Sequence, residues 1–137
     1  MTRINVVAPT QLTDQHLLAE IRELPRIFPH ALTWRAARAS STLPETYRLG
    51  TGHMRFFYDK LGWLAARHAK LTAEWLGRGF RLTQHPPLTG AGDWTPTGDA
   101  ATVNLERLDI RLRAKPHGFY RYRGQPVASD FYSRACS

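Results

Sequence analysis

The chain has 137 residues, 42% of them hydrophobic, including four Trp, six Phe and five Tyr; that length suits one domain over residues 1–137, able to bury on the order of two thirds of its unfolded surface, and the composition excludes a disordered basic tail. Nineteen Lys and Arg against eleven Asp and Glu leave a net charge of +8, which points to a polyanionic partner, nucleic acid being the commonest, and away from a membrane surface, because no basic segment has a clean apolar side. Sixteen of the nineteen cations are Arg, an excess that suits bidentate recognition of phosphate and that also follows from GC-rich coding.

The chain opens MTRINVVAPT, without an apolar stretch of signal-peptide length, and has no run of 18 apolar residues, so a reducing cytoplasm is the expected compartment. The first predicted helix runs from about Asp14 to Arg38, with Thr13 as N-cap and Leu17, Leu18, Ile21, Leu24, Phe28 and Ala31 on one stripe. Pro25 removes a backbone donor and should kink it, at about 3 kcal/mol unless the fold uses the bend. Within this helix, EIRELPRIF sets Glu23 between Arg22 and Arg26, a pattern that exposed, ion-paired helix faces often carry.

The second predicted helix runs from about His53 to Leu76, with Met54, Phe57, Leu61, Leu64, His68, Leu71 and Trp75 as a core seam and Gly77 and Gly79 as its stop. A Pro/Gly-rich loop, HPPLTGAGDWTPTG, follows and is too long for a simple turn. The third predicted helix spans about Asp99 to Ala114, with Ala101, Leu105, Leu108 and Leu112 inward and Pro116 beyond its end. Arg107 and Arg111, four apart, share a face of it. Next comes HGFYRYRG, where Phe119, Tyr120 and Tyr122 interleave with Arg121 and Arg123. Such a segment can contact phosphates and stack on bases, or it can plug the core with its aromatics while Arg points outward. Cys136 is the only cysteine, and the six histidines are scattered, so neither a disulfide nor a metal site is expected, and no cofactor. The expected fold is a compact all-α domain of three main helices, with long loops, little or no sheet and an aromatic, basic C-terminal segment.

Five blocks, MTRIN, DQHLLAEIRELPRIF, LGTGHMRFFYDKL, ERLDIRLRAKP and FYRYRG, stand in this order along the chain. In that order they resemble the phage-type pyrimidine-dimer DNA glycosylase/AP lyase family, also called endonuclease V of the pyrimidine-dimer type. The similar blocks cover roughly half of the chain; about 29–48 and 82–103 carry no resemblance.

The resemblance implies a catalytic nucleophile at Thr2, whose α-amino group is exposed when Met1 is removed. An α-amine titrates near about 7.7–8.0 and a lysine near about 10.4, so at pH 7.5 roughly a third of the amine is neutral against about a thousandth of a lysine. A cation such as Arg3 would lower the amine further. Glu23 matches the family's catalytic carboxylate, and flanking arginines would favour its ionised form, as a base or electrostatic stabiliser.

Arg3, Arg22 and Arg26 match residues around the lesion and its phosphates, and His16 matches a site-lining position that a helix-capping histidine would also explain. Arg107 and Arg111 match a cationic pair on the third helix, the second as Arg in place of Lys. Phe119 stands where the family has Trp, beside Tyr120, Arg121 and Tyr122 in the DNA-contacting run, and Ile21 stands where a tyrosine is expected.

The implied activity is repair of ultraviolet-induced cyclobutane pyrimidine dimers in double-stranded DNA, with strand cleavage at dimers or abasic sites, by a monomer. The family kinks the duplex and flips out a base opposite the lesion. Two other functions fit the residues: a lyase mainly for abasic sites or another damaged base, and a non-catalytic basic module that bends DNA.

Overall fold

The computed structural model of the protein describes residues 3–36, 43–83 and 87–136. Helices α1 (Asp14–Glu23), α2 (Ile27–Ala36), α3 (His53–Phe56), α4 (Leu61–Gly77) and α5 (Gly98–Arg113) make up nearly all of its regular structure. A two-residue antiparallel ladder, β1 (Arg121–Tyr122) with β2 (Gln125–Pro126), follows, with Arg121 opposite Pro126 and Tyr122 opposite Gln125. The fold is thus mostly helical, as the periodicity implies, with a minimal sheet. No helix among the described residues is long and apolar enough to cross a membrane.

Thr13 caps α1: its side chain accepts the His16 N–H at 3.2 Å, and Asp14 supplies a negative charge in the first turn. The expected kink falls at Pro25, where a 3-10 turn over Leu24–Arg26 divides the first predicted helix into α1 and α2. The tighter turn accommodates a residue without an N–H and lets the apolar stripe continue, so that Leu17, Ile21, Leu24, Ile27 and Ala31 are all buried. Its expected end at Arg38 lies outside the described residues.

The second predicted helix is also divided, for a different reason. After α3 the chain turns through 57–60, and α4 begins at Leu61, where a distant loop caps it: Gly62 N–H donates to the Ala91 carbonyl at 3.2 Å and Trp63 N–H to the Gly92 carbonyl at 2.9 Å. Gly92 has φ +103°, and a Cβ there would lie 2.0 Å from the Asp59 carbonyl oxygen. Only glycine lets the two backbones meet this closely. The seam survives the break: Phe57, Leu61, Leu64, His68, Leu71 and Trp75 are buried, and Met54 is half-buried. On α5, capped by Thr97 through the Ala100 N–H at 3.1 Å, the inward residues are Ala100, Leu105, Leu108 and Leu112. Ala101, expected to face in, is only half-buried, because the buried face begins one residue earlier.

One buried cluster unites the core, from Ile4 and Val7 through α1, α2 and α4 to Leu105, Leu108, Leu112 and the fully buried Tyr132. Arg78, whose side chain is fully buried, ties three parts of it together. It pairs with Asp14 at 2.8 Å and Glu74 at 2.8 Å, donates to the Leu12 carbonyl at 2.8 Å, and lies 4.3 Å from the centre of the Tyr122 ring. The Asp14 carboxylate also accepts the Arg123 N–H at 3.0 Å and the Gly124 N–H at 2.8 Å. Buried ionic groups with this many partners fix orientation more than they add stability; here they anchor the hairpin against the start of α1.

Candidate active site

A cleft of about 310 Å³ opens between the N-terminal strand, α1, α5 and the C-terminal hairpin. Arg3, His16, Glu23, Arg107, Arg111 and Tyr120 line it, together with Asn5 and Glu20. The fold therefore brings six of the residues singled out in the sequence to one place. Thr2 lies outside the described residues.

On α1, steps of four and three put His16, Glu20 and Glu23 on one face. Arg22 and Arg26 are exposed and do not line the cleft, and among the described residues no ion pair joins either of them to Glu23. Glu23 instead accepts a backbone hydrogen bond, from the Arg3 N–H to Oε2 at 3.3 Å. Arg22 projects about 100° from Glu23 around α1, and Arg26 lies beyond the end of α1, in the 3-10 turn at Pro25, with its side chain exposed.

The opposite wall is cationic. Arg107 and Arg111 project from α5 toward Arg3, and burial followed by the charge of Arg111 holds Arg3 below the ordinary arginine range. Arg107 is lowered by burial, then by Arg3 and Arg111. Arg3 and Arg107 nonetheless stay protonated, since guanidinium does not lose its proton in proteins. Arg3 Nη1 and Arg107 Nε and Nη2 are buried without a hydrogen-bond partner among the described residues. Buried charged donors left in this state are costly, and a phosphate oxygen is the group that suits them.

His16 forms the floor. Its Nδ1 lies 2.6 Å from the Tyr132 hydroxyl, which accepts the Thr13 N–H at 3.0 Å, and its ring stacks on Tyr120 at 4.5 Å between centroids. Burial, followed by the charge of Arg111, lowers its pKa to about 4. His16 is therefore neutral at physiological pH, with the Tyr132 hydroxyl at 2.6 Å and the Thr13 hydroxyl at 2.9 Å both within hydrogen-bond distance of Nδ1. Its backbone N–H meets the Thr13 cap while its ring lines the cleft.

The aromatic run divides. Tyr120 lines the cleft, Phe119 is about half exposed at 48%, and Tyr122 packs under Arg78 with its hydroxyl donating to the Thr10 carbonyl at 2.8 Å. Arg121 is exposed, and its Nη1 donates to the Gly124 carbonyl at 3.0 Å. One ring of the run thus faces the cleft, one is exposed and one is packed into the fold. Ile21 is 1% exposed and faces the core, not the cleft.

A family model described as pyrimidine dimer DNA glycosylase matches residues 1–86. The chain belongs to that family. Its substrate is accordingly DNA carrying pyrimidine dimers, and its activity that of a pyrimidine dimer DNA glycosylase. The matched segment contributes Arg3, His16 and Glu23 to this glycosylase's cleft, and the chain beyond it contributes Arg107, Arg111 and Tyr120.

Sequence reasoning missed the residues that hold the N-terminal strand of the glycosylase in place. Asn104, buried on α5, accepts the Val6 N–H at 2.8 Å and the Val7 N–H at 3.3 Å, and its Nδ2 donates to Asn5 Oδ1 at 2.7 Å. Asn5 Nδ2 donates to Glu20 Oε1 at 2.8 Å. Glu20 is paired with buried Arg67, whose Nε donates to Oε2 and Nη2 to Oε1 at 3.1 Å, while Nη1 donates to the Val7 carbonyl at 2.9 Å. The Glu20 charge is thus neutralised within the protein, which leaves the cleft's own balance positive. The spacing of His16, Glu20 and Glu23 was the available signal for Glu20; nothing local marks Asn5 or Asn104.

Proposed function

We propose that this glycosylase is also an AP lyase, and that it works through an imine formed by the α-amine of Thr2 after Met1 is removed. The observation that carries the reading is the bond from the Arg3 peptide N–H to the Glu23 carboxylate inside a cleft walled by Arg107 and Arg111. The Arg3 N–H belongs to the peptide bond that joins Arg3 to Thr2, so Glu23 holds the peptide adjoining the amine's residue.

The neutral amine attacks C1′ of the damaged nucleotide. The glycosidic C1′–N bond breaks, and the base leaves with its electron pair and takes up a proton. Loss of a proton from the attached nitrogen and opening of the sugar ring give the imine. Removal of a C2′ proton then sends electrons toward C3′, the C3′–O bond breaks, and the 3′ phosphate departs. Water hydrolyses the remaining imine and frees the amine. Glu23, as carboxylate, stabilises the cationic sugar and serves as base in these transfers. The unpartnered donors of Arg3 and Arg107, with Arg111, hold the phosphates beside the lesion. Arg22 and Arg26 on the exposed surface, and Phe119, Tyr120 and Arg121 at the hairpin, extend the DNA contact, while Tyr122 holds the hairpin in place beneath them. His16 supports the cleft floor as a neutral ring. The protein acts as a monomer in the cytoplasm.

Borohydride trapping on undamaged, abasic and thymine-dimer duplexes tests this. An adduct on the dimer duplex that disappears when the N-terminal amine is blocked is the expected result, with Glu23→Gln abolishing strand cleavage while binding persists. Trapping on the abasic duplex alone would reassign the base specificity. No adduct from protein lacking Met1 would leave only DNA binding.

A further inference from the structure

Residues 3–7 belong to no helix or sheet, and peptide groups along them are met by side chains. The grip nearest the cleft is on Ile4. Its N–H donates to His53 Nε2 at 2.8 Å, and its carbonyl accepts the Tyr47 O–H at 2.8 Å. His53 Nδ1 lies 2.7 Å from the Arg48 carbonyl oxygen. A carbonyl only accepts, so Nδ1 carries the ring proton and Nε2 is the bare acceptor. One imidazole thus joins two backbones through a rigid ring.

His53 is 2% exposed, edge-on to the rings of Tyr47 and Phe57 at 5.5 and 5.6 Å. Gly52, at φ +90°, forms the turn that delivers it, and a Cβ there would press on Pro44 Cγ at 3.2 Å and Arg48 Cδ at 3.3 Å. His53 does not line the cleft. It holds instead the residue after Arg3, whose own N–H rests on Glu23.

We propose that His53 is a positioning residue for the reaction: as a tautomer-locked acceptor it fixes the Ile4 peptide, and through it the Arg3 peptide and the amine of Thr2, against Glu23. The inference rests on the amine reading given above. Imidazole suits the task because a neutral ring accepts and donates at once from opposite sides. Burial, together with the facing charges of Arg3 and Arg107, lowers its pKa against the raising effect of the Arg48 carbonyl, and so keeps the ring neutral. Without the acceptor the strand is free to shift, and displacement by about 1 Å can cost up to a hundredfold in rate.

The test compares wild type, His53→Phe, His53→Gln and Tyr47→Phe, each as the full chain confirmed to lack Met1. Phenylalanine keeps the ring volume without an acceptor, and glutamine returns an oxygen near the place of Nε2. Two quantities are measured: the single-turnover rate of cyanoborohydride trapping on an abasic duplex, and the affinity for a duplex with a tetrahydrofuran abasic analogue, which cannot form an imine. The expected result is at least a tenfold slower rate for His53→Phe with affinity within threefold of wild type, and recovery by His53→Gln to within threefold. Tyr47→Phe, the milder loss of the same grip, should slow trapping measurably; this variant decides the matter if His53→Phe does not fold. A His53→Phe rate equal to wild type would overturn the proposal, as would equal slowing by Phe and Gln, which would mark a packing role.

The two readings separate through nitrogen NMR of the wild type. Coupling between the Ile4 amide and His53 Nε2, with the proton on Nδ1, reports the grip whether or not the amine reacts. Its absence would overturn the proposal. Its presence in a protein that forms no adduct would sink the amine reading and, with it, the catalytic meaning of the grip.

Discussion

Replacing Arg67 by Met tests the network beneath the cleft. The substitution keeps much of the side-chain volume, so the cavity contribution is small. It removes both donors to Glu20 and the donor to the Val7 carbonyl. Glu20, only 1% exposed at its side chain, would keep the Asn5 amide as its remaining partner among the described residues. Removing one member of a buried ion pair costs about 3–5 kcal/mol, and the Val7 carbonyl adds up to about 1 kcal/mol if nothing replaces its donor. The expected loss is about 4 kcal/mol, which for a chain of this length lowers Tm by roughly 12–16 °C. Urea unfolding of wild type, R67M, E20Q and the double variant, followed by circular dichroism, measures it. Because the cost arises from an orphaned charge, E20Q/R67M should regain at least half of the loss of R67M, a coupling of about 2 kcal/mol or more. A loss under about 1 kcal/mol, or a coupling near zero, would refute this account of the pair.

Gly92→Ala should destabilise by about 2 kcal/mol or more in the same assay, because the new Cβ would meet the Asp59 carbonyl at 2.0 Å at a φ of +103°; a neutral effect would show that the loop does not hold α4 as described. His16, with its pKa lowered from 6.5 to about 4, contributes stability that is complete above about pH 6.5. That contribution is lost as pH falls toward 4, because the unfolded chain takes up the proton first; the loss is at most about 3 kcal/mol. His16→Gln should flatten that part of the stability profile, and an unchanged slope would remove His16 as its source. If about five to seven phosphates are neutralised, log affinity for a dimer-bearing duplex should fall against log salt with a slope of roughly −4.5 to −6; a slope near zero would contradict the cationic wall.

What could be read from the sequence was local. Thr13, Pro25 and the stripe from Leu17 to Ala31 specify a capped, kinked first helix because each acts within one or two turns of itself. The start of α4 could not be read that way, since a loop some thirty residues downstream docks on 59–63 and sets it. Glu23, Arg107 and Arg111 were identifiable through the resemblance, but the partners of Glu23 were not. Its sequence neighbours turn outward, and the Arg3 backbone arrives from the chain terminus. Buried polar residues such as Glu20, Arg67 and Asn104 look like ordinary helix-surface positions until the opposing strand is in place.

That strand carries an implication for how the protein comes into being. Val6 and Val7 wait for Asn104, separated from them by 98 and 97 positions, and Ile4 waits for His53, 49 positions on. Closing such long loops is entropically slow relative to forming helical turns. During synthesis the N-terminus leaves the ribosome first, yet the grip of Asn104 cannot close until α5 has followed. A chain cut short before α5 would retain Glu23 but would lack both Asn104 and the Arg107 and Arg111 wall of the cleft. The complete cleft is thereby withheld from unfinished copies, and it closes only once α5 and the hairpin beyond it are in place.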